Sequence, residues 1–486
     1  MATFVSELSP VVLWRHFDRL LEIPRGSKAE DAARDYVLET AAARGLQARL
    51  DAGGNVLVRR PAAGGREGGP SVVLQAHLDM VQEKNSGTRH DFATDPIRPE
   101  LDGEWLKADG TTLGADNGIG VAAMLALMEE DDFAHGPLEF LFTVDEETGL
   151  TGARELEEGI LESRLLINLD SEEEGVITIG CAGGGDSRLY LPLGARDPGE
   201  GTGLRLAVSG LKGGHSGVDI HLQRGNAIVA LSHALRAAAD QVPLRLVDLS
   251  GGNARNAIPR EATATVRVPD ETAARTVRSV FDASLEAAAA EHAASDPGLT
   301  WQTAAVDADA AAWDAPTALR ALDLLIALPH GVMSMSPGLP GLVETSTNLA
   351  VARIEDESLS VLCNSRSSVA TRLGSLRRRI RSIGELAGAR VEQPDGYPGW
   401  QPDVRSRLLK VIRSAYEAEM GEAAEVGAMH AGLECGIIGE KYPGMDMVAF
   451  GPQIEFPHSP DERVRVASVE PFYRVLKRTI SDLAAA

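Results

Sequence analysis

The chain has 486 residues, more than one ordinary hydrophobic core fills, so two or three domains are expected. Its 71 acidic and 47 basic residues leave a net charge of −24, which excludes the basic face that a nucleic-acid binder needs. Cys181, Cys363 and Cys435 stand far apart without CxxC spacing, and no apolar run approaches the roughly 20 residues that span a bilayer, so a reduced, cytoplasmic protein is expected.

The first 27 residues, MATFVSELSPVVLWRHFDRLLEIPRGS, read as a capped amphipathic helix rather than a signal peptide. Strands and helices then alternate. NVLVRR (55–60), SVVLQAHLD (71–79), LEFLFTVDE (138–146) and RLLINLD (164–170) read as strands. GIGVAAMLALMEE (118–130) and LTGARELEEG (150–159) read as helices between them. This is α/β organisation around a mostly parallel central sheet, in which ligands collect beyond the carboxyl ends of the strands. From residue 204 the order becomes βαββαβ, a ferredoxin-like half, and a second half of the form αββαβ, one strand short, follows. The expected layout is therefore 1–203 and 396–486 as one domain, with an inserted α+β domain at 204–395 in halves 204–307 and 316–395. The stretch DGYPGWQPD (395–403) reads as the return linker.

Acids and histidines sit where the strands end. His77 and Asp79, two apart, share a strand face, so the carboxylate can orient the ring of a ligating histidine. Asp116 lies in the Gly-rich turn GTTLGADNGIG before a helix. Glu146 and Glu147 close a strand on neighbouring, divergent positions, Asp170 closes another, and His458 lies in the loop FGPQIEFPHSPDE. Each has a bland reading by itself: a structural His–Asp pair, a helix cap, a solvated acid run, a loop histidine. As a set they pair imidazole with carboxylate, which suits zinc, with manganese or cobalt as alternatives. Two metals need a shared carboxylate at a spacing of about 3.5–4 Å, and a spare carboxylate serves as general base.

The motifs QAHLDMV, GADNGIG, DEETGLTGA, NLDSEEEG, GGHSG and FPHSPDE together resemble the co-catalytic dizinc metallopeptidases that include aminoacylase, carboxypeptidase G and carnosine dipeptidases. GLKGGHSGVDI, GGNARNAIPR, ETSTNLA and HAGLECG look most like that family's aminoacyl-histidine dipeptidase branch, the peptidase D type. The resemblance implies two Zn2+ per subunit bridged by Asp116, with His77 and Asp170 completing one site and Glu147 and His458 the other. It implies Asp79 behind His77, Glu146 as general base for a metal-activated water, a cis peptide after Asp116, and His215 of the inserted lid as oxyanion donor. Asn256 and Arg366 would contact substrate, Arg366 its free carboxylate, and Glu434 its amino end.

The expected activity is hydrolysis of Xaa-His, carnosine-like and other short unblocked dipeptides. An N-acyl amino acid deacylase or carboxypeptidase of the same fold is the alternative, and a non-catalytic binding protein the remote one. A calcium- or partner-binding acidic surface is disfavoured because no EF-hand loop is present. With His215 and Asn256 in the first lid half and Arg366 in the second, the doubled lid implies a monomer with a pseudo-dimeric lid or a homodimer.

Overall fold

The computed structural model describes residues 3–307 and 311–485. The chain forms two compact units, one of residues 1–181, 400–428 and 433–486 and the other of 182–399 and 429–432.

The first unit is built on an eight-stranded sheet. Its spatial order is Gln47–Leu50, Val56–Arg60, Leu138–Thr143, Val72–His77, Leu165–Asn168, Asp446–Ala449, Val176–Cys181, Glu425–Met429. The four strands from Leu138–Thr143 to Asp446–Ala449 run parallel, and antiparallel pairs flank them. Both Val72–His77 and Leu138–Thr143 are buried at every position, as mostly apolar strands covered on two faces are. The helix Ala115–Glu129 is apolar on every side and correspondingly buried. A four-stranded sheet places Ile454–Glu455 against Arg463–Arg465, so the His458 loop is the connection of a short antiparallel ribbon.

The second unit contains a nine-stranded sheet in which two βαββαβ halves supply eight strands and Gly331–Met335, paired with Val343–Glu355, is the ninth. In the first half the strands are Thr202–Ser209, Arg245–Gly251, Ala262–Val268 and Thr300–Val306, lying in the spatial order fourth, first, third, second. The second half uses Gly183–Pro192, Val343–Glu355, Ser358–Ser367 and Arg390–Glu392 in the mirrored order. The halves join through their second strands, where Ser250 faces Arg353 and Gly251 faces Ala352. Side chains of Asn226, Asp270 and Asp314 cap three of the covering helices.

Two expectations need correction here. The second half is not one strand short: its first strand is Gly183–Pro192, which precedes the entire first half in the chain and pairs with Ser358–Ser367. The second unit accordingly starts at residue 182 rather than 204, and the chain returns to the first unit at Trp400, within the expected linker.

Candidate active site

Three adjacent parallel strands bring the acids and histidines together. His77 is the last residue of Val72–His77, Asp170 follows Leu165–Asn168, and Glu146 and Glu147 follow Leu138–Thr143. Asp116 opens the helix Ala115–Glu129, and its peptide bond to Asn117 is cis. The strand before Glu146 ends earlier than expected, at Thr143. Asp145 adopts a left-handed backbone (φ +50), so the two glutamates sit in the first turn of the helix Glu146–Gly149 rather than on a strand.

The distances divide the set into two groups that share Asp116. His77 Nε2 lies 3.0 Å from Asp116 Oδ1 and 3.3 Å from Asp170 Oδ1. His458 Nε2 lies 3.3 Å from Asp116 Oδ2 and 3.0 Å from Glu147 Oε2. Tetrahedral zinc with bonds of about 2.1 Å separates its ligand atoms by about 3.4 Å, close to these contacts. His77, Glu146 and Glu147 form a third convergent group. Glu147 Oε1 and Asn117 Oδ1 are buried without partners. The donors therefore fit a pair of divalent cations straddling one carboxylate.

Electrostatics gives the same reading. Burial pushes the Glu146, Glu147 and Asp170 carboxyls upward, and repulsion from neighbouring acids adds to it. Hydrogen bonds to Asp116 and Glu147 push His458 up to about 11. Burial opposes a charge on His77, but Asp170, Asp116 and Asp79 outweigh it and hold the ring well above its usual value.

Asp79 is completely buried, and its carboxylate does more than face His77 Nδ1, 3.3 Å away, a nitrogen that also contacts the Asp79 backbone carbonyl at 3.2 Å. Its two oxygens also accept from the backbone amides of Glu146 (3.1 Å) and Glu147 (3.2 Å) and from Ser27 Oγ (2.8 Å). One side chain thus orients the ring and fixes the turn carrying both glutamates. Burial works against its charge, but His77 and these donors hold the carboxyl down at about 2. Asp145, which had no expected role, accepts from Thr148 Oγ1 and donates its amide to Glu30 Oε1 at 2.9 Å.

Glu434 begins the helix Glu434–Lys441 and is fully buried. Its Oε2 accepts from Gln75 Nε2 (2.6 Å) and Thr143 Oγ1 (2.7 Å), while Oε1 has no partner. Burial pushes this carboxyl up to about 7.

In the second unit, His215 Nδ1 accepts from the amides of Gly217 (3.3 Å) and Val218 (3.0 Å), which places the proton on Nε2. Burial, then Arg366, pushes the ring down to about 4, so it is a neutral donor at neutral pH. His215 and the exposed Asn256 line one cavity of about 580 Å³, with the two loops joined by Ser216 N donating to Asn256 O at 2.7 Å. Arg366 lies outside that lining, buried on Ser358–Ser367, with Nη1 donating to Tyr397 OH at 3.0 Å and Nε unpartnered. His430, not anticipated from sequence, bonds Ser346 Oγ through Nε2 at 2.7 Å.

Comparison with known proteins decides the family: the profile of peptidase family M20/M25/M40 matches residues 73–482. The chain belongs to that family. It is a hydrolase of the M20 metallopeptidases. A cytosol non-specific dipeptidase of Escherichia coli strain K12 is 42% identical over 483 residues, covering 99% of each chain. The crystal structure of aminoacylhistidine dipeptidase from Vibrio alginolyticus superposes with a TM-score of 0.92 at 43% identity, over 99% of this chain and 98% of that one. The aminopeptidase PepT of Bacillus cereus, at 15% identity and a TM-score of 0.57, shares the fold. Among the described residues no helix is long and apolar enough to cross a membrane.

Proposed function

We propose that this M20 peptidase is a cytoplasmic dipeptidase that hydrolyses short unblocked dipeptides, Xaa-His among them, with two zinc ions. The observation that carries the reading is Asp116, whose two oxygens face His77 on one side and His458 on the other. The full-length likeness to proteins named as dipeptidases supports the substrate class. Two cations held there would acidify a water to near neutrality and polarise the scissile carbonyl. His77, Asp170 and Asp116 are assigned to one cation, and Asp116, Glu147 and His458 to the other.

Glu146, whose carboxylate has no hydrogen bond or ion pair among the described residues, takes the proton of the attacking water and returns it to the leaving amine. Burial already raises its affinity for that proton. Asp79 keeps His77 on the tautomer that offers Nε2. His215 offers its Nε2 proton to the developing oxyanion, with Asn256 as a second polar contact. The Arg366 guanidinium receives the substrate carboxylate. The free Oε1 of Glu434 receives the amino group, which favours unblocked dipeptides over N-acyl amino acids.

The test is bound metal by elemental analysis, then a panel of β-alanyl-histidine, other dipeptides and N-acetyl amino acids, with and without chelator. Chelator-sensitive dipeptide hydrolysis is expected. Full activity after complete metal removal defeats the mechanism, and cleavage of N-acetyl amino acids alone makes the protein a deacylase. Mixing His215→Ala chains with Glu146→Ala chains reads whether the lid histidine acts in its own chain: restored turnover assigns it to a partner copy.

A further inference from the structure

Two buried charges to which the assigned reaction gives no role converge on the turn carrying Asp116. Glu462 lies four residues beyond His458 and is 2% exposed. Its Oε2 accepts from the amides of Leu113 (2.8 Å) and Gly114 (2.9 Å), and its Oε1 accepts from the amide of Asp116 itself (3.2 Å). From the other side Arg25, also 2% exposed, donates through Nη2 to Gly114 O. Its Nη1 reaches Leu78 O (3.0 Å) and Asp79 O (3.1 Å). The amides of the turn are thus held by an anion and its carbonyl by a cation. The cation also ties the turn to the strand end that carries His77.

The close fit explains the residue at 114. Gly114 has φ +74, and a Cβ there would stand 2.4 Å from Arg25 Nη2 and 2.8 Å from Met80 Sδ. The choice of an acid at 462 is informative too. Placing a further carboxylate against Asp116 adds repulsion to a centre already rich in acids. Only a carboxylate presents two equivalent acceptor oxygens to three amides of one turn.

We propose that Glu462, with Arg25 as its counterpart, is a positioning residue of the metal centre. It fixes the backbone of Asp116 so that the two carboxylate oxygens face His77 and His458, and it locks the His458 loop to the Asp116 turn. The role rests on the two-metal reading given above.

The test uses the full-length protein stripped of metal and titrated with Co2+, followed by visible absorption. Glu462→Gln keeps the side-chain volume but turns one acceptor into a donor facing an amide. Glu462→Asp keeps the charge with a shorter reach, and Arg25→Lys keeps the charge without the fork. Glu139→Gln is the matched control. Glu139 is likewise buried, and its carboxylate accepts from the amides of Glu162 (3.0 Å) and Ser163 (2.8 Å), remote from the metal ligands.

All three variants at 462 and 25 are expected to bind Co2+ roughly 10- to 100-fold more weakly, the range for residues that orient metal ligands. They are also expected to show a shifted visible spectrum, whereas Glu139→Gln loses thermal stability with an unchanged spectrum and affinity. Co2+ binding and spectra at 462 and 25 that match wild type, with only the melting temperature lowered, would overturn the proposal. Wild-type protein that fails to bind two Co2+ would instead remove the two-metal reading on which it rests.

Discussion

Glu146 and Glu147 are neighbours in sequence, yet the structure gives them different surroundings. Replacing each with glutamine separates their roles. No hydrogen bond or ion pair reaches the Glu146 carboxylate among the described residues, and its position is held through its backbone amide by Asp79. Glu146→Gln therefore breaks no contact, and it removes one of several crowded acids. Both metals should remain, and the melting temperature of the metal-free protein should not fall. What is lost is the proton acceptor. General-base catalysis is worth roughly 10²- to 10⁴-fold, or about 3–5 kcal/mol of barrier, and kcat and kcat/KM should fall together. Glu147 Oε2, in contrast, lies 3.0 Å from His458 Nε2 and belongs to the group around Asp116 Oδ2. Glu147→Gln removes an anionic ligand and should leave one metal per chain after dialysis. Elemental analysis and steady-state kinetics on a dipeptide measure both. Metal loss in Glu146→Gln with two metals retained in Glu147→Gln refutes the assignment and reverses the pair.

Asp79→Asn should weaken metal binding roughly 10- to 100-fold and lower stability by about 1.5–3 kcal/mol, because one carboxylate serves His77, Ser27 and two amides; Co2+ titration and urea unfolding read the two effects, and an unchanged affinity contradicts the role. His215→Ala should cost roughly 10²- to 10³-fold in kcat with metal content intact, as for loss of an oxyanion donor, and a simultaneous loss of metal would place the ring elsewhere. Burial, then Arg366, holds His430 down at about 3 against an ordinary 6.5. Unfolding therefore takes up a proton there between pH 6.5 and about 3, and wild type should lose stability relative to His430→Gln as pH falls through that window. Urea midpoints of both proteins across the window test this, and a constant difference between them contradicts it.

Much of the candidate metal centre is legible in the sequence because its residues follow local pattern. His77, Asp170 and the Glu146–Glu147 pair each come at or just after a buried apolar run, and parallel strands deliver their carboxyl ends to one edge. The exact conformation at Glu146 is not legible, because the break depends on Asp145 taking a left-handed backbone, and a four-residue helix has no periodicity to read. Arg25 in EIPRGS and Glu462 in SPDERV look like surface charges. They are buried by contacts with segments far away in the chain, which leave no local trace. The first strand of the second half of the second unit is hidden differently. Its opening GGGDS has little strand propensity, and its partner comes only after another complete half.

That threading has a consequence for how the second unit is made. All four strands of the first half lie between Thr202 and Val306, so its own ladder can pair as soon as it has been synthesised. Gly183–Pro192 is translated earlier and closes later. Pro192 faces Ser358 and Gly183 faces Ser367, so the strand cannot complete its ladder until residues 358–367 have emerged. Its Leu189 and Leu191, fully buried in the finished sheet, spend that interval as an open edge. Conditions that slow translation between these segments will therefore draw chaperones, or neighbouring nascent chains, to this strand first.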